Sequence, residues 1–120
     1  MHELSIAQSI VEIVGQYVPP VEQEHVRKIT VRIGAMAGVV PDSLEFCFTA
    51  IIHRTPLAQA AMEIEFVPFR VACHSCNSTS ETEPGLALCP LCGSVDTEVR
   101  SGTELQVVSI DVEEATTGAP

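Results

Sequence analysis

The chain has 120 residues, 46% of them apolar, and sets 6 Lys and Arg against 16 Asp and Glu for a formal charge of −10. That length suits one domain or one domain with a small module, and one Tyr, four Phe and no Trp require an aliphatic core. The acidic balance argues against nucleic acid, since Arg27, Lys28 and Arg32 form the densest basic cluster, and no apolar run approaches the roughly 20 residues of a membrane helix.

Met1-His2-Glu3 lacks the basic start of a secretory signal, and Ser5, Gln8, Ser9 and Glu12 interrupt the apolar stretch behind it. A cytoplasmic location is therefore expected, where five cysteines read as metal ligands or small buried hydrophobes rather than disulfides. From Leu4 to Tyr17 polar residues recur at helical spacing against a wide apolar face, and Pro19-Pro20 forbids continuation. His25 to Gly34 alternates, with Ile29, Val31 and Ile33 on one face and Lys28, Thr30 and Arg32 on a wet one. Gly34 to Gly38 is turn-prone, and Pro41 opens a second helix with Asp42 and Glu45 in its first turn. Leu44, Cys47, Phe48, Ile51 and Ile52 form its apolar stripe, and Thr55-Pro56 ends it.

Ala61 to Val67 alternates again, with Met62, Ile64 and Phe66 opposing Glu63 and Glu65. Residues 70–100 hold four cysteines and many turn formers, a composition that cannot fold about an apolar core alone. Within them Arg70–Ala72, Leu86–Leu88 and Val95–Arg100 are expected to pair as short strands. Glu104 to Val112 reads as a last strand with Leu105 and Val107 in one phase and Val108, Ile110 and Val112 in the other, as a bulge or a two-sided environment would produce. The expected fold is α+β: two helices packed on a small three-stranded sheet, with a zinc-ribbon module inserted before the last strand. Residues 1–69 plus 101–112 form the main domain, 70–100 the ribbon and 113–120 a disordered tail.

Cys73-x2-Cys76 and Cys89-x2-Cys92, twelve residues apart, are the strongest motif. Two thiolates three residues apart on a tight turn chelate one ion, and two such knuckles make a tetrahedral sulfur cage suited to Zn. A rubredoxin-like iron site or iron–sulfur cluster uses the same ligands, and a redox pair is disfavoured by the missing thioredoxin-like context. Four thiolates leave no open position, so the role expected of zinc is structural. His74, inside the first knuckle, reads as a turn residue or as a nearby group giving the cage a pH response. Cys47 reads as a buried core thiol, and His25 and His53 as surface residues.

At the start, the Met1 α-amine, the His2 amide and the His2 imidazole can close fused chelate rings about one cation, an arrangement that suits Ni(II) or Cu(II), and Glu3 can add a carboxylate. Three motifs then occur in order: Met1-His2-Glu3-Leu4-Ser5, Gly34 to Phe48 with Val40-Pro41-Asp42-Ser43-Leu44-Glu45-Phe46, and Cys73-x2-Cys76 with Cys89-Pro90-x-Cys92-Gly93-Ser94. Together with Gly102-Thr103-Glu104-Leu105 and Ser109-Ile110-Asp111-Val112, they resemble the HypA/HybF family over nearly the whole chain. The resemblance implies a nickel metallochaperone for [NiFe]-hydrogenase maturation, not an enzyme. It implies His2 as nickel ligand with Glu3 and Met1 beside it, and structural zinc on Cys73, Cys76, Cys89 and Cys92. The implied partners are a HypB-type GTPase, the hydrogenase large subunit and, in some bacteria, urease accessory proteins. Two departures stand out: Ile52-His53-Arg54-Thr55 replaces a common Gly-Thr, and no histidine flanks the second knuckle.

The competing reading is a zinc-ribbon adaptor that binds only protein, with nickel titration separating the two. A zinc-ribbon nucleic-acid binder conflicts with the charge. Monomer and domain-swapped dimer are both compatible with a last strand that follows an inserted module.

Overall fold

The computed structural model describes residues 3–113. Their order is helix α1 (Glu3–Tyr17), strand β1 (Val26–Gly34), helix α2 (Pro41–Ile52), strands β2 (Ala61–Val67), β3 (Arg70–Cys73), β4 (Thr79–Glu81) and β5 (Thr97–Ser101), then β6 (Leu105–Val112). Short 3-10 turns cover Pro20–His25 and Ala35–Ala37. The strands form two three-stranded sheets, ordered β2-β1-β6 and β4-β3-β5, so the expected mixed α+β architecture is present. The chain divides into two compact units. One holds the described residues of Met1–Val31, Val39–Ile64 and Val107–Pro120, and the other holds Arg32–Gly38 and Glu65–Gln106.

In the first unit, Ile6, Ala7, Ile10 and Val14 bury one stripe of α1. The helix stops where Val18 N–H closes on the Val14 carbonyl at 2.9 Å and the two prolines remove the next donors. On α2, Leu44, Phe48 and Ile52 are buried, whereas Cys47 and Ile51 lie half-buried at the margin of the stripe. Phe48 and Leu44 of α2, Val14 of α1, and Val26, Ile29 and Val31 of β1 are the largest wholly enclosed groups of this core, each worth about 1.5–3 kcal/mol in removal from water. Glu3 at the head of α1 accepts the Val40 N–H, just before α2, at 3.1 Å. The two helices are thereby joined at their starts.

Thr30 is buried although it belongs to the face expected to be wet. Beside it Lys28 reaches Glu63 of β2 at 3.8 Å and Asp111 of β6 at 3.7 Å, the position a central strand gives a cation between two acidic edges. Arg27 pairs with Glu113 at 2.9 Å, and Glu113 N–H donates to the His25 carbonyl at 2.8 Å. In the second unit Arg32 pairs with Glu65 at 3.0 Å, Arg70 with Glu81 at 3.9 Å and Arg100 with Glu98 at 3.5 Å. Such exposed pairs add at most about 1 kcal/mol each, but they occupy every Lys and Arg except Arg54. The one basic cluster of the sequence is therefore spent within the fold.

Arg54 occupies the left-handed region (φ 65°), at the departure noted after α2, and Thr55 Oγ1 closes that turn on the Ile52 carbonyl at 2.6 Å. No residue of β6 is buried, and its half-buried side chains Val107 and Ile110 lie three apart, which breaks a period of two. The mixed phases of the sequence reflect an edge strand that neither face encloses.

The second unit contains a close approach of two backbone segments at glycines. Gly34 N–H donates to the Glu104 carbonyl at 2.7 Å, and Met36 N–H to the Gly102 carbonyl at 2.8 Å. A methyl group on Gly34 would overlap the Gly102 carbonyl, which cannot retreat, because Gly102 lies at φ 106° with Phe69 Cα 2.5 Å from where its own Cβ would stand. Gly34→Ala is therefore expected to destabilise the chain by about 3 kcal/mol, read from the urea midpoint; a loss below about 1 kcal/mol would mean that the contact is loose.

β3 is the central strand of the second sheet, antiparallel to both neighbours, with Val71 opposite Ser80 and Val99. The third ribbon strand differs from expectation: it is Thr79–Glu81, among the turn formers, rather than Leu86–Leu88. The carbonyls of Leu86 and Ala87 are met by the hydroxyls of Thr82 and Thr97, both at 2.8 Å, rather than by a strand partner. β5 starts at Thr97 rather than Val95 because Ser94 to Asp96 close the second knuckle.

Candidate metal centre

Cys73 ends β3, and the chain then turns through His74-Ser75-Cys76-Asn77-Ser78 so that Cys73 N–H closes on the Ser78 carbonyl at 2.7 Å. The second knuckle repeats this plan, since Cys89 N–H closes on the Ser94 carbonyl at 3.0 Å. Each loop passes through the left-handed region immediately after its second cysteine, at Asn77 (φ 59°) and Gly93 (φ 76°), residue types that tolerate it. The two serines thus stand at equal places, five residues beyond the first cysteine of each loop.

The four sulfurs lie within 4.8 Å of one another. Cys73 and Cys92 are 3.6 Å apart, and Cys76 and Cys89 3.7 Å, far beyond a disulfide bond. A tetrahedral ion at a Zn–S distance of ~2.3 Å sets its sulfurs ~3.8 Å apart, so the donor set fits zinc as separate thiolates. Cys73 and Cys89 are buried, whereas Cys76 and Cys92 are exposed.

Electrostatics point the same way. The Cys92 and Leu91 backbone N–H groups lower the Cys89 thiol to about 6 against the opposing effect of burial. The Cys76 N–H, and then that of Ser75, lower Cys73. The Ser94 N–H favours a Cys92 thiolate, but the sulfurs of Cys73, Cys89 and Cys76 outweigh it together with burial and push that thiol up to about 12. Four such groups ionise together only around a cation. Zinc uptake by the metal-free chain at neutral pH is expected to release at least one proton per ion and to weaken as pH falls, because protons compete for the sulfurs. Calorimetry in buffers of different ionisation enthalpy checks this, and the absence of proton release would rule the thiols out as ligands.

His74 stands outside the sulfur cluster, its Nε2 lying 3.5 Å from Glu98 Oε1. Cys47 is half-buried and is also outside it. At the proposed nickel end, Glu3 is described, whereas Met1 and His2 lie outside the described residues. The hydroxyls of Ser75 and Ser94, 2.8 Å apart, join the knuckles, and Ser78 lies between Cys76 and Cys89. Spacing alone assigns none of these serines a role, although a Ser stands five residues after the first cysteine of both knuckles. Among the described residues no helix is long and apolar enough to cross a membrane.

Residues 1–112 match the family model described as "Hydrogenase/urease nickel incorporation, metallochaperone, hypA". The hydrogenase maturation factor HypA of Geobacter metallireducens is 42% identical over 113 residues, covering 94% of this chain and all of that protein. HypA of Chloroflexus aggregans is 41% identical over 112 residues, 92% of this chain and 98% of the relative. HypA of Desulfosudis oleivorans is 40% identical over 116 residues, 95% of this chain and all of the relative. In fold, the chain is similar to the solution structure of the nickel metallochaperone HypA from Helicobacter pylori, with a TM-score of 0.63 at 17% identity over 93% of this chain and 97% of that one. On that sequence evidence the chain belongs to the HypA family of hydrogenase maturation factors and nickel metallochaperones, which are not catalytic enzymes.

Proposed function

We propose that this chain carries Ni(II) at its first three residues and delivers it by ligand exchange for the maturation of [NiFe]-hydrogenase. The His2 imidazole, the Met1 α-amine and the intervening amide supply nitrogen donors, and Glu3 adds a carboxylate. The observation that carries this reading is the placement of Glu3. It opens α1, and its Oε2 accepts the Val40 N–H at 3.1 Å, which holds the carboxylate of the residue that follows His2 in the sequence. Negative charge at a helix start also offsets the repulsion between the helix dipole and a cation. The family match, which includes His2, supports the same assignment.

A site with few protein ligands at a chain end suits transfer, because an acceptor offering more donors takes the ion without unfolding the carrier. The acceptor in this proposal is the hydrogenase large subunit, reached with a HypB-type GTPase in the cytoplasm, and urease maturation is a second destination. In the same proposal residues 1–69 plus 101–112 form the nickel domain, and zinc on Cys73, Cys76, Cys89 and Cys92 is structural, shaping the 70–100 ribbon. Nickel titration of the tag-free chain, followed by transfer to metal-free hydrogenase large subunit, tests the reading. A chain that binds no nickel would return the protein to the adaptor class.

A further inference from the structure

The four sulfurs do not receive their hydrogen bonds in the same way. Cys73 Sγ accepts from the backbone N–H groups of Ser75 at 3.3 Å and Cys76 at 3.5 Å. Cys89 is favoured as a thiolate by the backbone N–H groups of Cys92 and Leu91, and Cys92 by that of Ser94. Those donors belong to the turn itself, and no side-chain substitution removes them. Cys76 is different. Its described donor is the Ser78 hydroxyl at 3.0 Å, and the same oxygen lies 3.7 Å from Cys89 Sγ, a ligand from the other knuckle.

Once Cys76 is a thiolate only the hydroxyl has a proton to give, so Ser78 is the donor. We propose that Ser78 is a positioning residue of the zinc cage, its hydroxyl holding the exposed Cys76 sulfur in the ligand set and against Cys89 of the opposite knuckle. Four thiolates around a dication leave excess negative charge on sulfur, and a charge-assisted O–H···S bond disperses it. Cys76 is one of the two exposed ligands, where water and competing chelators arrive first, so its retention governs how fast zinc leaves. Ser94 supplies the contrast. It occupies the equivalent place in the second loop, but its hydroxyl faces Ser75 at 2.8 Å and the Asp96 N–H at 3.0 Å rather than a sulfur.

The proposal rests on the four-cysteine zinc cage, so the zinc content of the native chain is measured first, and a metal-free native chain would overturn both. Zinc transfer to a chromophoric chelator is then timed for the native chain and for Ser78→Ala, Ser78→Thr and Ser94→Ala. Ser78→Ala is expected to lose zinc roughly tenfold faster, at the lower end of what such supporting contacts contribute. Ser78→Thr, which keeps the hydroxyl, restores the native rate, and Ser94→Ala, which keeps every donor to sulfur, stays close to it. In the Co(II)-substituted chain, Ser78→Ala also moves the sulfur-to-metal charge-transfer band to longer wavelength, because a thiolate without its hydrogen bond is richer in electrons. An unchanged rate and band in Ser78→Ala, or an equal acceleration in Ser94→Ala, would overturn the assignment.

Discussion

Chelation of zinc, or replacement of Cys89 by Ala, is expected to abolish the folded ribbon while α1 and α2 stay helical. Buried side chains near the knuckles are few: Val71, Ala72, Cys73 and Cys89, with Phe69 and Ile33 elsewhere in that unit. At about 25 cal/mol per Å², so small an apolar set falls short of the ordering entropy of the segment, whereas zinc binding to small cysteine modules contributes on the order of 10–16 kcal/mol. Cys73, Cys76 and Cys92 to Ala are expected to act alike, and Cys47→Ala to leave one zinc per chain. Metal analysis and amide exchange across residues 70–100 are the measurements. A ribbon that kept its exchange protection after chelation would show that the metal is dispensable, and zinc loss in Cys47→Ala would show that the fifth cysteine had been misjudged.

The second large effect belongs to His2. His2→Ala is expected to abolish specific Ni(II) binding and leave zinc content unchanged, because the two proposed ligand sets share no residue. One residue added before Met1 weakens binding too, by turning a chelating amine into an amide. Glu3→Gln acts more gently, since its amide oxygen still accepts the Val40 N–H while the charge is lost. Nickel binding fades on acidification, because neither a protonated imidazole nor an ammonium group has a lone pair to offer. Calorimetry on tag-free protein is the test. Native affinity in His2→Ala would move the site elsewhere and remove the basis of the delivery mechanism, and native affinity in the extended chain would exclude the amine.

The parts of the fold legible in the sequence are those with one-sided burial. Ile6, Ile10 and Val14 on α1, Ile29, Val31 and Ile33 on β1, and Leu44, Phe48 and Ile52 on α2 each repeat at the period of their element and are buried. β6 gave no single phase because none of its residues is enclosed, and β4 was hidden because its three residues are strand only by pairing with β3. Cys47 fell inside the expected stripe but sits at its margin, a matter of a fraction of a helical turn. The sulfur cage was legible from spacing, since two knuckles impose it locally. The separate duties of Ser78 and Ser94 were not, because the direction of a hydroxyl depends on the loops closing against each other. Thr30 escaped for a similar reason: its burial comes from the neighbours of its strand, not from the strand's own alternation.

The closure of the second unit at Gly102 also bears on the order in which the chain folds. Ser101 Oγ donates to the Pro68 carbonyl at 2.9 Å, Arg70 lies opposite Ser101, and Gly102 rests on Phe69, so the segment that carries the cysteines begins and ends at one place. Before the metal arrives, β6 must find β1 at the end of a long free loop that leaves β2. With the knuckles gathered by the proposed zinc, that loop would be effectively a few residues long, a saving of about 2 kcal/mol in closure entropy. The last strand is therefore expected to dock faster when the proposed zinc is bound.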